Sequence, residues 1–263
     1  MIPSTRRFCN TTAVFVFSNL RVHIEDDFTT IQKAYLAGNQ LLSSYLRNDG
    51  IIVDFLSQFI ESEKTVNELF DTLSIDFIKI LEAYSQGINR YAELNPEKVL
   101  VKDLFPVTPR KMLNYSFLQL FISNGADKLV SSIISNNTID LSNLVINEDI
   151  QGSNTFAFNN NKTKNGETYL AINTHQPLDG PNSWYEVHLN SEEGTNILGA
   201  TFAGAPCVLT GVNKHLAWTH TVNYPDKADL FKLKMHDSKK NIYLVDNKEY
   251  KLEKHKAKLK YRV

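Results

Sequence analysis

The spacing of apolar residues divides the chain into two parts with different periods. From about residue 27 to residue 135 the apolar positions recur at helical spacing, most clearly in residues 74–94. Asn95 ends that helix, because a residue that precedes proline is disfavoured in the helical conformation. The apolar positions of this segment form one stripe along a helix: Phe77, Ile80, Leu81, Tyr84, Ile88 and Tyr91.

Short polar motifs predict where several helices begin. Thr29–Gln32 and Thr65–Glu68 each have a threonine followed three residues later by Gln or Glu, which is the pattern of a capping box. Thr108 followed by Pro109 predicts an N-cap and a first-turn proline. We therefore expect helices to begin at these three places.

After Gly152 the apolar period changes to two. Runs such as NTFAF, TYLAI, WYEVHL and NILGATF are separated by Gly, Pro, Asn and Asp, which is typical of successive short strands. Residues 256–263 also alternate, between basic and apolar, and predict a half-exposed strand more readily than a nucleic-acid-binding patch. Helices followed by strands predict an α+β fold.

The composition is that of an ordered globular protein. Hydrophobic residues make up 42% of the chain and aromatic residues 11%. With 28 basic and 29 acidic side chains the chain is nearly neutral, which argues against a nucleic-acid-binding protein. No apolar run is long enough to span a bilayer. Two cysteines are too few for a disulfide framework, and we expect Cys207 to be a buried free thiol.

Gly152 and Ser153 allow two interpretations. Gly-Ser-Asn is ordinary turn chemistry. Alternatively, Ser153 is a nucleophile that exists only after the chain is cut before it, with its own α-amine as the base. Such an amine has a pKa of about 7.7–8.0, so part of it is neutral near pH 7. Glycine at position 152 would tolerate a strained backbone at the cleavage point. A G-x-S-x-G nucleophile elbow is excluded, because a strand follows and not a helix.

Longer blocks around this point resemble the penicillin acylase family of N-terminal-nucleophile amidohydrolases. Before Gly152 the blocks are HIEDDFTTIQKAYLAGNQLLSSYL, SIDFIKILEAYSQGINRYAE and LFPVTPRKMLNY. After it they are GSNTFAF, AINTHQPLDGPNSWYEVHL and NILGATFAGAPCVLTGVNKHLAWTHTVNYPDKADLF. The resemblance implies an incomplete αββα sandwich. Residues 1–152 would be the helical α-chain part with a possible spacer, and residues 153–263 the N-terminal part of the β-chain.

The resemblance also implies roles for individual residues. Ser153 would be the nucleophile, exposed by self-cleavage between Gly152 and Ser153. His175 would orient Ser153 and its amine, with its backbone a candidate for the oxyanion site. The backbone N–H of Val222 would be an oxyanion donor. The family's second donor is an asparagine side chain that lies beyond Val263, so we expect the chain to be part of a longer precursor.

A calcium site is a further expectation from the resemblance. Its ligands here would be the carboxylates of Asp226 and Asp229 and the carbonyl of Ala228. Oxygen ligands suit calcium, although calcium takes six to eight of them. The alternative is that both aspartates cap turns. No cofactor is required for the expected chemistry.

Aromatic side chains in the strand-rich part are candidates for a substrate pocket. The predicted pocket residues are Gln176, Trp184 and Phe202, with Tyr185 and Trp218 as further aromatic candidates. The histidines at positions 188, 215 and 220 have no spacing typical of a zinc site and are interpreted as structural.

The function implied by the resemblance is the hydrolysis of linear amides. A carboxylic acid would be released from a penicillin-like compound, an N-acyl amino acid or an acyl-homoserine lactone. The partners would be this small-molecule substrate and the two chains of one precursor, with no nucleic acid and no membrane span, and the location would be periplasmic or secreted. The alternatives are a non-catalytic homologue that only binds, and an inactive fragment.

Overall fold

A computed structural model describes residues 11–123, 125, 130, 152–191, 194–221, 229 and 231–261. The described helices are α1 Thr11–Gly38, α2 Ser43–Leu46, α3 Asn48–Phe59, α4 Ser62–Leu69, α5 Ile75–Leu94 and α6 Pro109–Ser123. The described strands are β1 Ser153–Phe158, β2 Tyr169–Thr174, β3 Trp184–Asn190, β4 Asn196–Phe202, β5 Thr210–Val212, β6 Ala217–Trp218, β7 Lys234–Met235, β8 Ile242–Val245 and β9 Lys248–Lys251. Helices precede strands, as the α+β prediction requires.

Helices α5 and α6 confirm two predicted helices. Ser74 caps α5 by accepting a hydrogen bond from the backbone N–H of Phe77, and the helix ends at Leu94. Pro109 is the first residue of α6, and the Thr108 hydroxyl accepts a bond from the backbone N–H of Lys111. These ends are determined by local sequence, so they could be predicted.

The two predicted capping boxes do not cap helices. Thr29 lies within α1 two residues after a kink at Asp27, where φ is −130° and ψ is 30°, so a new helical segment begins close to the predicted place but is not capped by Thr29. Thr65 lies inside α4, which begins three residues earlier because the chain turns through a left-handed conformation at Glu61. In both cases backbone geometry upstream of the threonine determines where the helix starts.

The helices pack into a layer with a common apolar core. Leu81, Tyr84 and Ile88 from the predicted stripe of α5 are buried, with no more than 1% of each exposed. They belong to one cluster with Ile31 of α1 and Leu118 of α6. The stripe is therefore confirmed as the core face of α5.

The strands form three separate antiparallel sheets among the described residues. Strands β1 and β2 form a hairpin, β3 to β6 form a four-stranded sheet, and β7 to β9 form a three-stranded sheet. Residues 1–223 and 259–263 form one compact unit, and residues 224–258 form a second that contains the three-stranded sheet. The predicted division at Gly152 concerns products of cleavage, so it stays a prediction.

The predicted strand at the end of the chain is absent, since residues 256–261 have no regular secondary structure. Near that end, the carbonyl of Lys260 accepts hydrogen bonds from the hydroxyls of Ser43 and Ser44. The Tyr261 hydroxyl donates to the side chain of Asn48. Alternation of basic and apolar residues does not by itself produce a strand when no neighbouring strand pairs with the segment.

Tyrosine side chains connect the four-stranded sheet to α1. The ring of Tyr185 stacks on His23, with 4.2 Å between centroids, and its hydroxyl donates to the Asp26 carboxylate at 2.6 Å. The hydroxyl of Tyr35 donates to the carbonyl oxygen of Gly204 at 2.6 Å. The sheet is therefore held against the helices by directional bonds as well as apolar contact.

None of the described helices combines the length and the apolar content that crossing a membrane would require.

Cys207 was expected to be a buried free thiol, but its side chain is exposed.

His23 makes stability depend on pH. It is 1% exposed and its Nε2 has no hydrogen-bond partner. Burial lowers the pKa of His23 to about 4, against a smaller opposite effect of Asp26. Between about pH 6.5 and 4 the unfolded chain therefore binds a proton that the folded chain does not, and stability falls as pH decreases. The cost is on the order of 3 kcal/mol.

We expect the substitution His23→Phe to reduce this loss of stability on acidification, since phenylalanine keeps the stack on Tyr185 and cannot be protonated. The measurement is urea unfolding of both proteins from pH 4 to pH 7. The control is His215→Gln, at an exposed histidine. Equal pH slopes for the wild type and His23→Phe would contradict the assignment.

Candidate functional site

The β1–β2 hairpin brings the predicted nucleophile and the predicted histidine together. The strands pair antiparallel, with Ser153 opposite Thr174. Continuing this register by one residue places Gly152 opposite His175. The backbone N–H of His175 donates to the carbonyl oxygen of Gly152 at 3.1 Å. Residues far apart in sequence therefore meet at the peptide that is predicted to be cut.

Ser153 contacts the same carbonyl group. Its hydroxyl donates to the carbonyl oxygen of Gly152, with 2.7 Å between the two oxygens. This oxygen thus accepts one bond from the Ser153 side chain and one from the His175 backbone. Donors at a carbonyl oxygen stabilise negative charge that develops there when the carbonyl carbon is attacked. Of the two donors, the His175 N–H is the one that would remain on the oxygen if the neighbouring hydroxyl gave up its proton and attacked this carbon.

Gly152 does not have a left-handed backbone conformation. Its φ is not among the positive values of the described glycines. A methyl group at its Cα would lie 3.7 Å from Nδ1 of His175, an ordinary van der Waals distance. Neither a left-handed backbone nor a close approach therefore requires glycine at position 152 in the uncut chain.

Asn173 contacts the His175 ring and was missed in the sequence analysis. Its Nδ2 lies 3.2 Å from Nε2 of His175, and both side chains are exposed. Alternation places residues two apart on the same face of a strand, so this proximity follows once β2 is known. The sequence contained that signal, but asparagine is too common near turns for it to stand out.

The pocket candidates separate into two groups. Trp184 and Phe202 are cross-strand partners, and their rings stack with 4.2 Å between centroids. The indole N–H of Trp184 is buried without a hydrogen-bond partner. Tyr185 instead contacts α1, and the Trp218 indole donates to the carbonyl of Val208. Tyr185 and Trp218 therefore make structural contacts, whereas the indole N–H of Trp184 is a hydrogen-bond donor without an acceptor.

Ser153 and the Trp184–Phe202 pair lie in different sheets. No hydrogen bond between described residues joins the β1–β2 hairpin to the four-stranded sheet. Gln176 follows His175 and is half-buried. The assignment of Gln176, Trp184 and Phe202 to one pocket beside Ser153 therefore stays a prediction.

The remaining predicted site residues belong to the segment from Val222 to Asp229. Val222, Asp226 and Ala228 lie outside the described residues. Asp229 is described and exposed. Across the described part of the chain there is no group of three or more His, Cys, Asp or Glu side chains that could hold a metal ion. The calcium site and the oxyanion donor at Val222 stay predictions.

Comparison with known proteins identifies the family to which these features belong. The sequence profile of the penicillin amidase family matches residues 10–263. An acyl-homoserine lactone acylase PvdQ of Pseudomonas fluorescens strain Pf0-1 is 25% identical over 222 residues, which cover 77% of this chain and 28% of the relative. PvdQ of P. fluorescens strain ATCC BAA-477 is 34% identical over 40% of this chain and 13% of the relative.

A third relative has a different named activity. The aculeacin-A acylase of Actinoplanes utahensis is 29% identical over 97 residues, which cover 37% of this chain and 12% of the relative. The match to the first PvdQ thus extends over little more than a quarter of that relative's length.

Substituting Gly152 and Gly204 in turn by alanine tests whether the backbone at position 152 requires a glycine. Gly204 has a φ of +77°, and a methyl group there would lie 2.9 Å from the Tyr35 ring. We expect Gly204→Ala to lower the free energy of unfolding by about 1–3 kcal/mol, because it adds backbone strain and a clash. Gly152→Ala should change it by less than about 1 kcal/mol. Urea unfolding measures both, and equal losses would contradict the geometry given for Gly152.

Proposed function

The chain belongs to the penicillin amidase family, and we propose that it is an acylase whose nucleophile, Ser153, is produced by self-cleavage. The observation that carries this proposal is the pair of hydrogen bonds to the Gly152 carbonyl oxygen, from the Ser153 hydroxyl and the His175 backbone. A serine whose hydroxyl merely bonds the preceding carbonyl would explain the first bond alone. The second bond adds a donor at the oxygen that becomes negative during attack.

Self-cleavage would proceed in two steps. The Ser153 oxygen adds to the Gly152 carbonyl carbon, the bond from that carbon to the Ser153 nitrogen breaks, and the nitrogen takes up the hydroxyl proton. The product is an ester between Gly152 and the Ser153 side chain. Water then hydrolyses the ester, which leaves a carboxylate on Gly152 and a free α-amine and hydroxyl on Ser153.

Substrate hydrolysis would use the amine that cleavage releases. The α-amine takes the Ser153 hydroxyl proton, directly or through a water, while the oxygen attacks the substrate amide. His175 would orient Ser153, and the backbone N–H of Val222 would donate to the oxyanion. The leaving amine takes the proton, and water then releases the carboxylic acid from the acyl-enzyme.

The proposed substrate class is an amide of a carboxylic acid. Penicillin-like compounds and N-acyl amino acids belong to this class. The names of the relatives make an acyl-homoserine lactone the first compound to test. We further propose that the products of cleavage, residues 1–152 and 153–263, stay together, and that the protein acts in the periplasm or outside the cell.

A structural calcium ion is a separate part of the proposal. Asp226, the Ala228 carbonyl and Asp229 would supply three of its oxygen ligands. The reaction described above does not use the ion.

Replacing the nucleophile should prevent self-cleavage. We expect intact-mass measurement of the purified chain to show two polypeptides, one beginning at Ser153. Ser153→Ala should give one uncut polypeptide, since no hydroxyl is available to attack Gly152. The matched control is Ser183→Ala, because the Ser183 hydroxyl also donates to a nearby carbonyl, that of Gly180, at 2.7 Å. Normal cleavage of the Ser153→Ala chain would contradict the proposal.

Exchanging the hydroxyl for a thiol should separate the two reactions. Ser153→Cys is expected to cut itself and to hydrolyse amides at least tenfold more slowly. A thiolate leaves a tetrahedral intermediate more readily than an amine does, so attack on an amide is mostly reversed. This reversal slows every turnover of a substrate amide, whereas self-cleavage happens only once in each chain and can be slow and still reach completion. The measurement is the initial rate of acid release from an acyl-homoserine lactone. A rate equal to that of the wild type would contradict the assigned mechanism.

A further inference from the structure

The Ser43 hydroxyl lies between two oxygen atoms and can donate a hydrogen to only one of them. Its Oγ is 2.5 Å from Oδ2 of Asp54 and 2.7 Å from the carbonyl oxygen of Lys260. At the Lys260 contact Ser43 must be the donor, because a carbonyl oxygen only accepts. A hydroxyl has a single hydrogen. The contact with Asp54 is therefore also a hydrogen bond only if Asp54 supplies the hydrogen, from a protonated carboxyl group.

An ionised Asp54 would leave one of the two contacts without a hydrogen. Ser43 would donate to the carboxylate or to the Lys260 carbonyl, and the other contact would bring two lone pairs together. With a protonated carboxyl, Oδ2 donates to Ser43 and Ser43 donates to Lys260. The two carboxyl oxygens can still accept the backbone N–H bonds that they receive, from Leu42 at 2.9 Å and from Ser43 at 2.8 Å.

Burial of the Asp54 carboxyl also favours its neutral form. Asp54 and Ser43 are both 0% exposed. Burial raises the pKa of Asp54 above its ordinary value, against smaller opposite effects of the hydrogen bonds from Ser43 and Leu42. A buried carboxylate is costly unless a positive group pairs with it.

The charged groups on the neighbouring elements do not pair with Asp54. Lys260 directs its Nζ to Oδ2 of Asp103 instead, at 3.1 Å. The other positive side chains on the elements that pack against α3 are exposed or contact other groups: Lys33, Arg47, Lys64, Arg110 and Lys111. The acidic and tyrosine side chains of these elements supply no positive charge: Tyr35, Tyr45, Asp49, Glu63, Glu68 and Tyr115.

The backbone around Ser43 leaves little room for α3 to move away from α2. A methyl group at Gly50 of α3 would lie 2.5 Å from the backbone nitrogen of Ser43. Arg47, between the two helices, has φ 55° and ψ −126°, which is an unusual conformation for a residue with a side chain. Asp54 and Ser43 are therefore fixed relative to each other, and the partner that can separate from them is the segment with Lys260.

We propose that the proton on Asp54 controls the attachment of residues 259–261 to the helical layer. With the proton, a chain of hydrogen bonds runs from Asp54 through Ser43 to the Lys260 carbonyl. Without it, Ser43 donates to the carboxylate, and the Lys260 carbonyl is left with the longer bond from the Ser44 hydroxyl, at 3.2 Å. Loss of the proton therefore releases the segment.

The other side-chain contacts of this segment hold it only weakly. The ion pair of Lys260 with Asp103 and the hydrogen bond of Tyr261 to Asn48 are both exposed. Residues 259–263 are the part of the chain that returns to the first compact unit after residues 224–258. The inference therefore concerns a return point of the chain and does not depend on cleavage before Ser153.

The sign of the pH dependence follows from the position of the proton. The folded chain keeps this proton at pH values at which an aspartate in the unfolded chain, with a pKa of about 3.9, has lost it. The attachment is present at low pH and is lost as the pH rises through the pKa of folded Asp54. This effect is opposite in sign to that of His23, which destabilises the fold as the pH falls.

The protonation of Asp54 can be measured directly in the uncut Ser153→Ala chain with ¹³C-labelled aspartate. The chemical shift of each carboxyl carbon is followed from pH 4 to pH 9. The Asp54 signal is expected to keep changing at pH values at which the signal of Asp49, exposed on the same helix, has become constant. The substitutions Asp54→Asn and Asp49→Asn assign the two signals. An Asp54 signal that becomes constant together with that of Asp49 would overturn the inference.

The ¹⁵N relaxation of the Lys260 and Tyr261 amides tests the attachment in the same sample. Their order parameters are expected to fall from about 0.85 to below about 0.6 as the pH rises. The midpoint of this fall should equal that of the Asp54 signal. Order parameters that stay constant through the titration of Asp54 would overturn the inference, and this comparison needs no substitution near Ser43.

Two neighbouring serines provide a matched pair of variants. Ser43→Ala removes the link between Asp54 and Lys260, so low order of the segment is expected at every pH. Ser44→Ala removes only the longer bond to the same carbonyl, so the transition with pH should remain. A transition that persists in Ser43→Ala, or that disappears in Ser44→Ala, would contradict the role given to Ser43.

Discussion

The register of the β1–β2 hairpin is the constraint on which the candidate site depends. Pairing Ser153 with Thr174 places Gly152 opposite His175 and allows the His175 backbone to reach the Gly152 carbonyl. A shift of one residue would move every side chain of one strand to the other face. The Ser153 hydroxyl and the His175 backbone N–H would then no longer meet at the Gly152 carbonyl oxygen. Main-chain pairing, not a particular side chain, assembles this site.

Elsewhere in this unit, polar contacts hold the four-stranded sheet against the helical layer, one of them exposed and one buried. Tyr185 and Tyr35 each make one hydrogen bond to the opposing layer. His23 stacks on Tyr185 and leaves its own Nε2 without a partner. A buried polar atom without a partner costs free energy, and His23 is where this interface depends most on pH.

Local signals in the sequence were enough for part of the fold. Helix α5 was predicted from its apolar stripe and the proline that follows it, and the start of α6 from a threonine N-cap and a first-turn proline, all of which are local to the segment. The boxes at Thr29 and Thr65 failed because the same residue pattern also occurs inside helices, and the starts depend on the kink at Asp27 and the turn at Glu61. The strand predicted at the end of the chain was wrong for residues 256–261, because a strand also needs a neighbouring strand to pair with.

The candidate site shows the same division between local and distant information. The order of sequence blocks pointed to Ser153 and His175, and no single motif would have done so. The contact of Asn173 with the ring, and the pairing of Trp184 with Phe202, depend on strand register, which apolar period alone does not fix. The contact of the Ser153 hydroxyl with the preceding carbonyl is made from the first residue of strand β1, without a left-handed conformation at Gly152.

The proposed cleavage before Ser153 is an intramolecular reaction. It is tested most directly by the rate at which Ser153 appears as a new N-terminus, measured at several concentrations of purified chain. The account predicts a first-order rate constant that is independent of chain concentration, because the attacking hydroxyl and the Gly152 carbonyl are adjacent in one molecule. A rate constant that rises with concentration, or no new terminus at Ser153, would contradict it.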